Sequence, residues 1–350
     1  MSSSRRDNIA VRGDKRIKRQ FENRNTKDDR KPFDRGARQP RPIDHTPSQN
    51  IRENERLNLL ITTPEEIDSE GFSGLAGVDD VLHNIRNNFI IPLLLREKGE
   101  IIDVQKHMML YGPPGTGKTE LAKAMAKDMD FVFYNADLSA IRDLSGKRST
   151  SEGVHAIFKH ARNQKRPAII FIDEADQVIS SRFIQKQNIM DRPAKDALLT
   201  EMEGLSSQAD NVHVVIATNY PDKIDGAFVS RAQHIAIARP DLFARKQIFA
   251  NQFKKQSIDS FADDWDMGEV ANLTDGYTGR EIREIVRKIK LRHFDDLPLT
   301  LDQDTLNIEL SRLKKHKVDM GLFLEVLDTV QARYDPEIEI SIDNFNNQIN

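Results

Sequence analysis

The sequence predicts a parallel α/β sheet with helices on both faces, followed by a small all-α lid. Two patterns carry this. Short apolar runs at 108–111, 131–134, 168–172, 212–217 and 234–237 alternate with helical patterns at 118–129, 152–163, 193–204 and 221–229. Strands alternating with amphipathic helices build a parallel sheet with right-handed crossovers. From residue 242 the strand signal disappears and helices dominate, at 242–255, 265–273, 279–294 and 318–332. That shift sets four segments: an arm over 1–57, an α/β domain over 58–239, a helical lid over 240–335 and a tail over 336–350.

The arm is rich in Arg, Asn, Asp, Gln and Pro, with Phe21 and Phe33 as its only aromatics. Such a segment buries too little apolar surface to offset its ordering entropy, so it is expected to be disordered in isolation. It holds 16 Lys/Arg against 9 Asp/Glu, about +7, which leaves roughly −10 for the remainder of a chain whose formal net charge is −3. A basic arm suits nucleic acid, an anionic surface or acidic protein segments, and a solvated tail is the alternative. The acids Asp7, Asp14, Asp28, Asp29 and Asp34 argue against a mitochondrial presequence.

Folded sequence is expected to start near 59–61. Phe72-Ser73-Gly74-Leu75-Ala76-Gly77 then leads into a helix over 78–95. The next strand runs directly into Gly112-Pro113-Pro114-Gly115-Thr116-Gly117-Lys118-Thr119. A Gly-x-x-x-x-Gly-Lys-Thr loop between strand and helix is a phosphate cradle whose backbone N–H groups point inward at anionic oxygens. The helix starting near Lys118 adds its positive dipole end to the same place. Lys118 is expected to reach the β- and γ-phosphates of ATP, and the Thr119 hydroxyl to ligate Mg²⁺.

The run 168–172 ends in Asp173-Glu174-Ala175-Asp176. At the C-terminal edge of a buried strand, Asp173 can hold the Mg²⁺ shell while Glu174 orients and polarises the attacking water. The run 212–217 ends in Thr218-Asn219-Tyr220-Pro221, and Asn219 is a candidate sensor of the γ-phosphate or the lytic water. Its alternative is an Asn-started turn before Pro221. The tail contains the alternating Ile338, Ile340 and Ile342, expected to pack back or fray.

At 350 residues and 38% hydrophobic, the chain can bury at least one sizeable core. No apolar run approaches the ~20 residues of a membrane span, and Pro92 breaks the longest. The N-terminus has no secretory apolar region. The absence of cysteine excludes disulfides and thiolate metal sites and is compatible with the cytoplasm or another reducing compartment.

Taken together, these motifs resemble an AAA+ ATPase of the AAA subgroup that includes katanin, spastin and related protein remodellers. The resemblance spans about 70–335. It rests on Phe72 to Gly77, Gly112 to Thr119, Ile169 to Asp176, Leu198-Leu199-Thr200-Glu201-Met202-Glu203-Gly204, Ile216-Ala217-Thr218-Asn219 and Gly276-Tyr277-Thr278-Gly279-Arg280-Glu281-Ile282. It implies a homo-oligomeric ring, usually hexameric, with ATP at subunit boundaries and an arginine supplied by the neighbour. Arg231 stands in the region of that finger, although Phe228-Val229-Ser230-Arg231 replaces the Arg-Pro-Gly-Arg of many relatives. By the same resemblance Leu75 and Ala76 line the adenine pocket, while Gly279 and Arg280 approach the nucleotide, Arg280 as a second sensor.

Threading relatives place an aromatic residue in the first pore loop. Here 141–148 has none, leaving Leu144 as an apolar substitute and Lys147 or Arg148 as a grip on acidic chains. The segment 179–191 would form the second pore-facing loop. The function implied is ATP-driven remodelling or disassembly of a protein partner. A nucleic-acid-associated ATPase using the arm and a slow, nucleotide-gated scaffold are the alternatives. A DEAD-type helicase would need a second α/β domain, and the sequence after Pro240 lacks its strands.

Overall fold

The computed structural model describes residues 54–349 apart from 103, 146–148, 180–191, 205–210, 293–301, 305–306 and 309–316. Most of the basic arm, Lys147, Arg148 and all of the second expected pore loop except Ile179 therefore lie outside the described residues. Ile179 itself is buried in the core.

Six strands form one sheet in the order β1-β3-β4-β5-β2-β6. They are β1 (Ile61–Thr62), β2 (His107–Tyr111), β3 (Val132–Asn135), β4 (Ala168–Ile172), β5 (Val212–Thr218) and β6 (Ala232–Ala236). All neighbours run parallel except β1, which pairs antiparallel with β3. In β2, β4 and β5 every residue is buried, the continuous apolar pattern of strands covered on both faces. Successive side chains feed opposite layers: Met109, Ile170 and Val214 enter one core, and Met108, Ile169 and Val215 the other.

Helices cover both layers. On one face lie α1 (Asp79–Ile85), α2 (Ile91–Glu97) and α3 (Lys118–Asp128), which together with the turn between α1 and α2 contribute Ile85, Phe89, Leu93, Leu121 and Met125 to the core. The expected single helix over 78–95 is interrupted by a π turn at Arg86–Ile90. Pro92, at the start of α2, has no N–H for the regular ladder, and the wider turn absorbs that loss. The other face carries α4 (Leu138–Ser145), α5 (Thr150–Arg162) and α6 (Arg192–Gly204). Leu144 packs against this core, which opposes its reading as a free pore-facing residue.

The expected helix over 221–229 is a 3₁₀ turn, Pro221–Lys223, followed by the short α7 (Gly226–Val229). Beyond the sheet come α8 (Leu242–Lys255), α9 (Met267–Leu273), α10 (Gly279–Arg292) and α11 (Met320–Leu327). Asp241, Asp266 and Asp319 cap the first, second and fourth of these through their side chains. Their shared core is separate, built on Phe249, Phe253, Ile282, Ile285, Val286 and Phe323.

The last segment departs from expectation: residues expected as an alternating tail form α12 (Pro336–Ile349). Its buried positions are Ile338, Ser341 and Phe345, a helical spacing, while Ile340 points to solvent. Phe345 meets Tyr111 and His234 edge-on at 5.1 and 5.4 Å, and Tyr111 Oη donates to Asn346 Oδ1 at 2.8 Å. Ser341 bonds Asp222 beside the β5 loop. The chain end thus packs on the sheet domain rather than on the lid.

Under the sheet, His213 stacks on Phe131 at 5.3 Å, meets Phe89 edge-on at 5.2 Å, and hydrogen-bonds the Lys106 carbonyl through Nδ1 at 3.2 Å. Burial pulls its pKa down to about 3 and that of nearby His107 to about 4. Unfolded histidine takes up its proton below about pH 6.5, whereas the buried ring resists it. This contribution to stability is therefore complete above pH 6.5 and drains as pH falls toward 3–4. His213→Gln is expected to flatten the fall of Tm between pH 6.5 and 4 by the equivalent of roughly 2–3 kcal/mol. Parallel Tm-against-pH profiles of the two proteins would contradict this.

Candidate active site

The loop after β2 folds over its own lysine. Lys118 opens α3, capped by Gly117 in the left-handed region at φ 100°. Its Nζ donates to the carbonyls of Gly112 and Pro113 at 2.7 and 2.9 Å and to Asn219 Oδ1 at 2.8 Å. Burial lowers the lysine pKa to about 8, with Asp173 pulling the other way. The Thr116 hydroxyl closes the loop on Pro113 O at 2.9 Å. Two glycines are dictated by space. A Cβ on Gly112 would stand 2.1 Å from Ile237 O, and one on Gly115 2.6 Å from Thr278 Oγ1 of the lid.

Across the loop, Thr119 Oγ1 donates to Asp173 Oδ2 at 3.0 Å. A hydroxyl facing a carboxylate is a donor set that a hard divalent cation can exploit, and these are the two residues expected to hold Mg²⁺. Glu174 sits in the left-handed region at φ 48°, ψ 45°, a conformation that costs about 1 kcal/mol or more for a residue with a side chain. Its N–H donates to Asp173 Oδ1 at 2.9 Å, and its carboxylate accepts from Gln177 Nε2. Asp176 belongs to the scaffold instead: it accepts from Thr218 Oγ1 at 2.8 Å, pinning the end of β5 that presents Asn219.

Two adjoining clefts form around this loop. One is lined by Pro114, Lys118, Thr119, Asp173, Glu174 and Asn219, with Arg280 at its lid side. The other lies between the sheet domain and the lid and receives Leu75, Ala76, Thr116, Ile237, Ile248 and Gly279. The lid is tied to the loop directly, since Arg280 N donates to Gly115 O at 3.3 Å. Thus all the sequence-predicted groups except Gly112, Pro113 and Arg231 line one cleft or the other. Gly112 and Pro113 instead hold Lys118 through their carbonyls.

Arg231 lines neither cleft. It lies between α7 and β6, where its guanidinium bonds Glu203 Oε1 at 2.6 Å and the Ala227 carbonyl. The sequence reading missed Glu120 and Arg283, which line both clefts, and Ile248, Asn251 and Gln252 of α8, which line the one between the sheet domain and the lid. The last three share a helix face by their three- and four-residue spacing, a signal present in the sequence but indistinguishable there from ordinary core packing.

Residues 108–239 match the family model "ATPase family associated with various cellular activities (AAA)". The outer mitochondrial transmembrane helix translocase of Homo sapiens is 30% identical over 268 residues, covering 70% of this chain and 72% of that protein. The chain belongs to the AAA family of ATPases. AAA relatives also include Protein SAV of Sulfolobus acidocaldarius, 33% identical over 262 residues, covering 73% of this chain but 32% of that protein. The chain spans about a third of the length of several such curated relatives. Among solved AAA structures, one of katanin, described for its self-assembly, aligns with a TM-score of 0.67 at 26% identity, covering 84% of this chain and 96% of the other. The FIGL-1 AAA domain shares the fold with a TM-score of 0.68 at 23% identity, covering 88% and 98%. The AAA fold expected from the motifs therefore holds, and the family is one of ATPases, the class that the motifs predict. Among the described residues no helix is long and apolar enough to cross a membrane.

Proposed function

We propose that this chain binds ATP with Mg²⁺ in the paired clefts, hydrolyses it, and couples the cycle to remodelling of a protein partner as a ring of identical subunits. The observation that carries the reading is the convergence of Lys118, Thr119, Asp173, Glu174 and Asn219 on one cleft, assembled from the ends of three neighbouring strands. Lys118 supplies a fixed cation for phosphate oxygens, and its present bonds to carbonyls and Asn219 show that the loop already orients it. Thr119 and Asp173 would hold the metal, which screens phosphate charge when bound. Glu174 orients and polarises water as general base, and Asn219 links that water to the lysine. Leu75, Ala76 and Gly279 border the more apolar cleft, which suits a base and ribose.

Ring assembly is supported by the katanin likeness and by Arg231, whose position away from its own clefts leaves it available to a neighbour's. Nucleotide-dependent closure of the lid on the loop supplies the two states whose different affinities do work on the partner. Co-purification with Glu174→Gln in ATP tests the partner class. A trapped protein is expected. Recovery of nucleic acid instead, released by salt, would overturn the protein-remodelling reading.

A further inference from the structure

The two clefts meet along a seam. Gly115, Gly117, Glu120 and Arg283 line both, while Lys118, Asp173 and Arg280 line only the phosphate side and Leu75 and Ile248 only the apolar side. A nucleotide spanning the clefts must pass its first phosphates across this seam, so the residues there touch the part common to di- and triphosphates. Glu120 and Arg283 are its two charged side chains.

Arg280 and Arg283 stand three residues apart on α10, hence on neighbouring turns of one face. Like charges so placed repel mildly unless an anion lies between them. Two arginines of the lid and hinge, Arg245 and Arg239, are by contrast satisfied within the chain. Arg245 meets Asp275 at 3.0 Å, and Arg239 bonds the carbonyls of Gly276 and Arg333, both at 2.8 Å. Neither Arg280 nor Arg283 has a side-chain ion pair among the described residues, and the Arg280 charge already acts on Lys118 across the cleft. Arg287, one turn further along, also lacks an ion pair there but lines neither cleft.

We propose that Arg283 is a nucleotide-binding residue, one point of a two-arginine clamp through which the lid reads polyphosphate length. Arg283 grips the phosphates shared by ADP and ATP, beside Arg280, whose grip on the terminal phosphate is the second-sensor role that the resemblance of the motifs already implies. Planar guanidinium groups suit this task because each can donate two charge-assisted hydrogen bonds to phosphate oxygens. The consequence is graded: ADP holds the lid by one arginine and ATP by two, so lid closure depends on the γ-phosphate. The proposal rests on the nucleotide reading of the clefts.

The test is equilibrium binding of Mg-ADP and Mg-ATP to the 350-residue chain carrying Glu174→Gln, which removes hydrolysis from the readout. Adding Arg283→Ala is expected to weaken both nucleotides about tenfold, and Arg283→Lys to restore part of that loss. Arg280→Ala should weaken ATP about tenfold and change ADP less than about twofold, and Arg287→Ala should change neither. Unaltered binding by Arg283→Ala, or an equal loss in Arg287→Ala, overturns the clamp. Lys118→Ala separates this from failure of the site itself. If that variant binds both nucleotides like its parent, the cleft is not the site and the clamp falls with it. If it loses binding while Arg283→Ala does not, only the clamp is wrong.

Discussion

Replacing Glu174 by Gln is expected to reduce ATP turnover by about 10²–10⁴-fold while leaving nucleotide affinity near that of the unaltered protein. The substitution keeps the shape of the side chain and removes its ability to accept a proton. Glu174 lines the phosphate-side cleft with Asp173, and its backbone is held in a left-handed conformation at the end of β4. Asp173 Oδ1 fixes its N–H, so the side chain is aimed from a constrained turn rather than from a free loop. Because Lys118, Thr119 and the glycine loop are untouched, binding and turnover should separate. Phosphate release and equilibrium binding measured on the same preparation check this. Turnover within about fivefold of the parent would remove Glu174 from the role of base.

Arg231→Ala is expected to lower turnover by about 10³-fold or more with almost no effect on Tm. Within its own chain Arg231 makes a partly exposed ion pair with Glu203, whose side chain is 58% accessible, and such pairs contribute about 0–1 kcal/mol. As a guanidinium reaching a neighbour's transferring phosphoryl group, the same residue would act where charge develops in the transition state. A purely structural residue would move Tm and leave the rate per folded subunit intact. Rate and melting temperature together therefore decide between the two roles.

The sequence carried the central strands because β2, β4 and β5 are buried on both faces and show it as unbroken apolar runs. It carried the phosphate loop because its residue types are tied to its chemistry position by position. β6 starts two residues before the expected run and ends one residue before that run does, since it is an edge strand and its Gln233 and His234 are only partly buried. The two-residue β1 is too short for any periodicity. The error at the chain end is more instructive. Ile338, Ile340 and Ile342 alternate, yet Asp335 accepts from the N–H of Glu337 and Pro336 opens a helix, so the start signal outweighed the apolar pattern. Arg283 was invisible for a different reason. Its significance comes from two clefts meeting beside it, and neither cleft exists until the lid packs against the glycine loop.

The central claim is that a complete hydrolytic site is built from two copies, one giving Lys118 to Glu174 and the next giving Arg231. Mixing Glu174→Gln and Arg231→Ala chains tests it most directly, because each variant supplies what the other lacks. Random assembly in equal amounts leaves about one boundary in four with both groups intact. The mixture is expected to hydrolyse ATP far faster than either variant alone, at up to about a quarter of the unaltered rate. A mixture no faster than the average of its two separate components would contradict it.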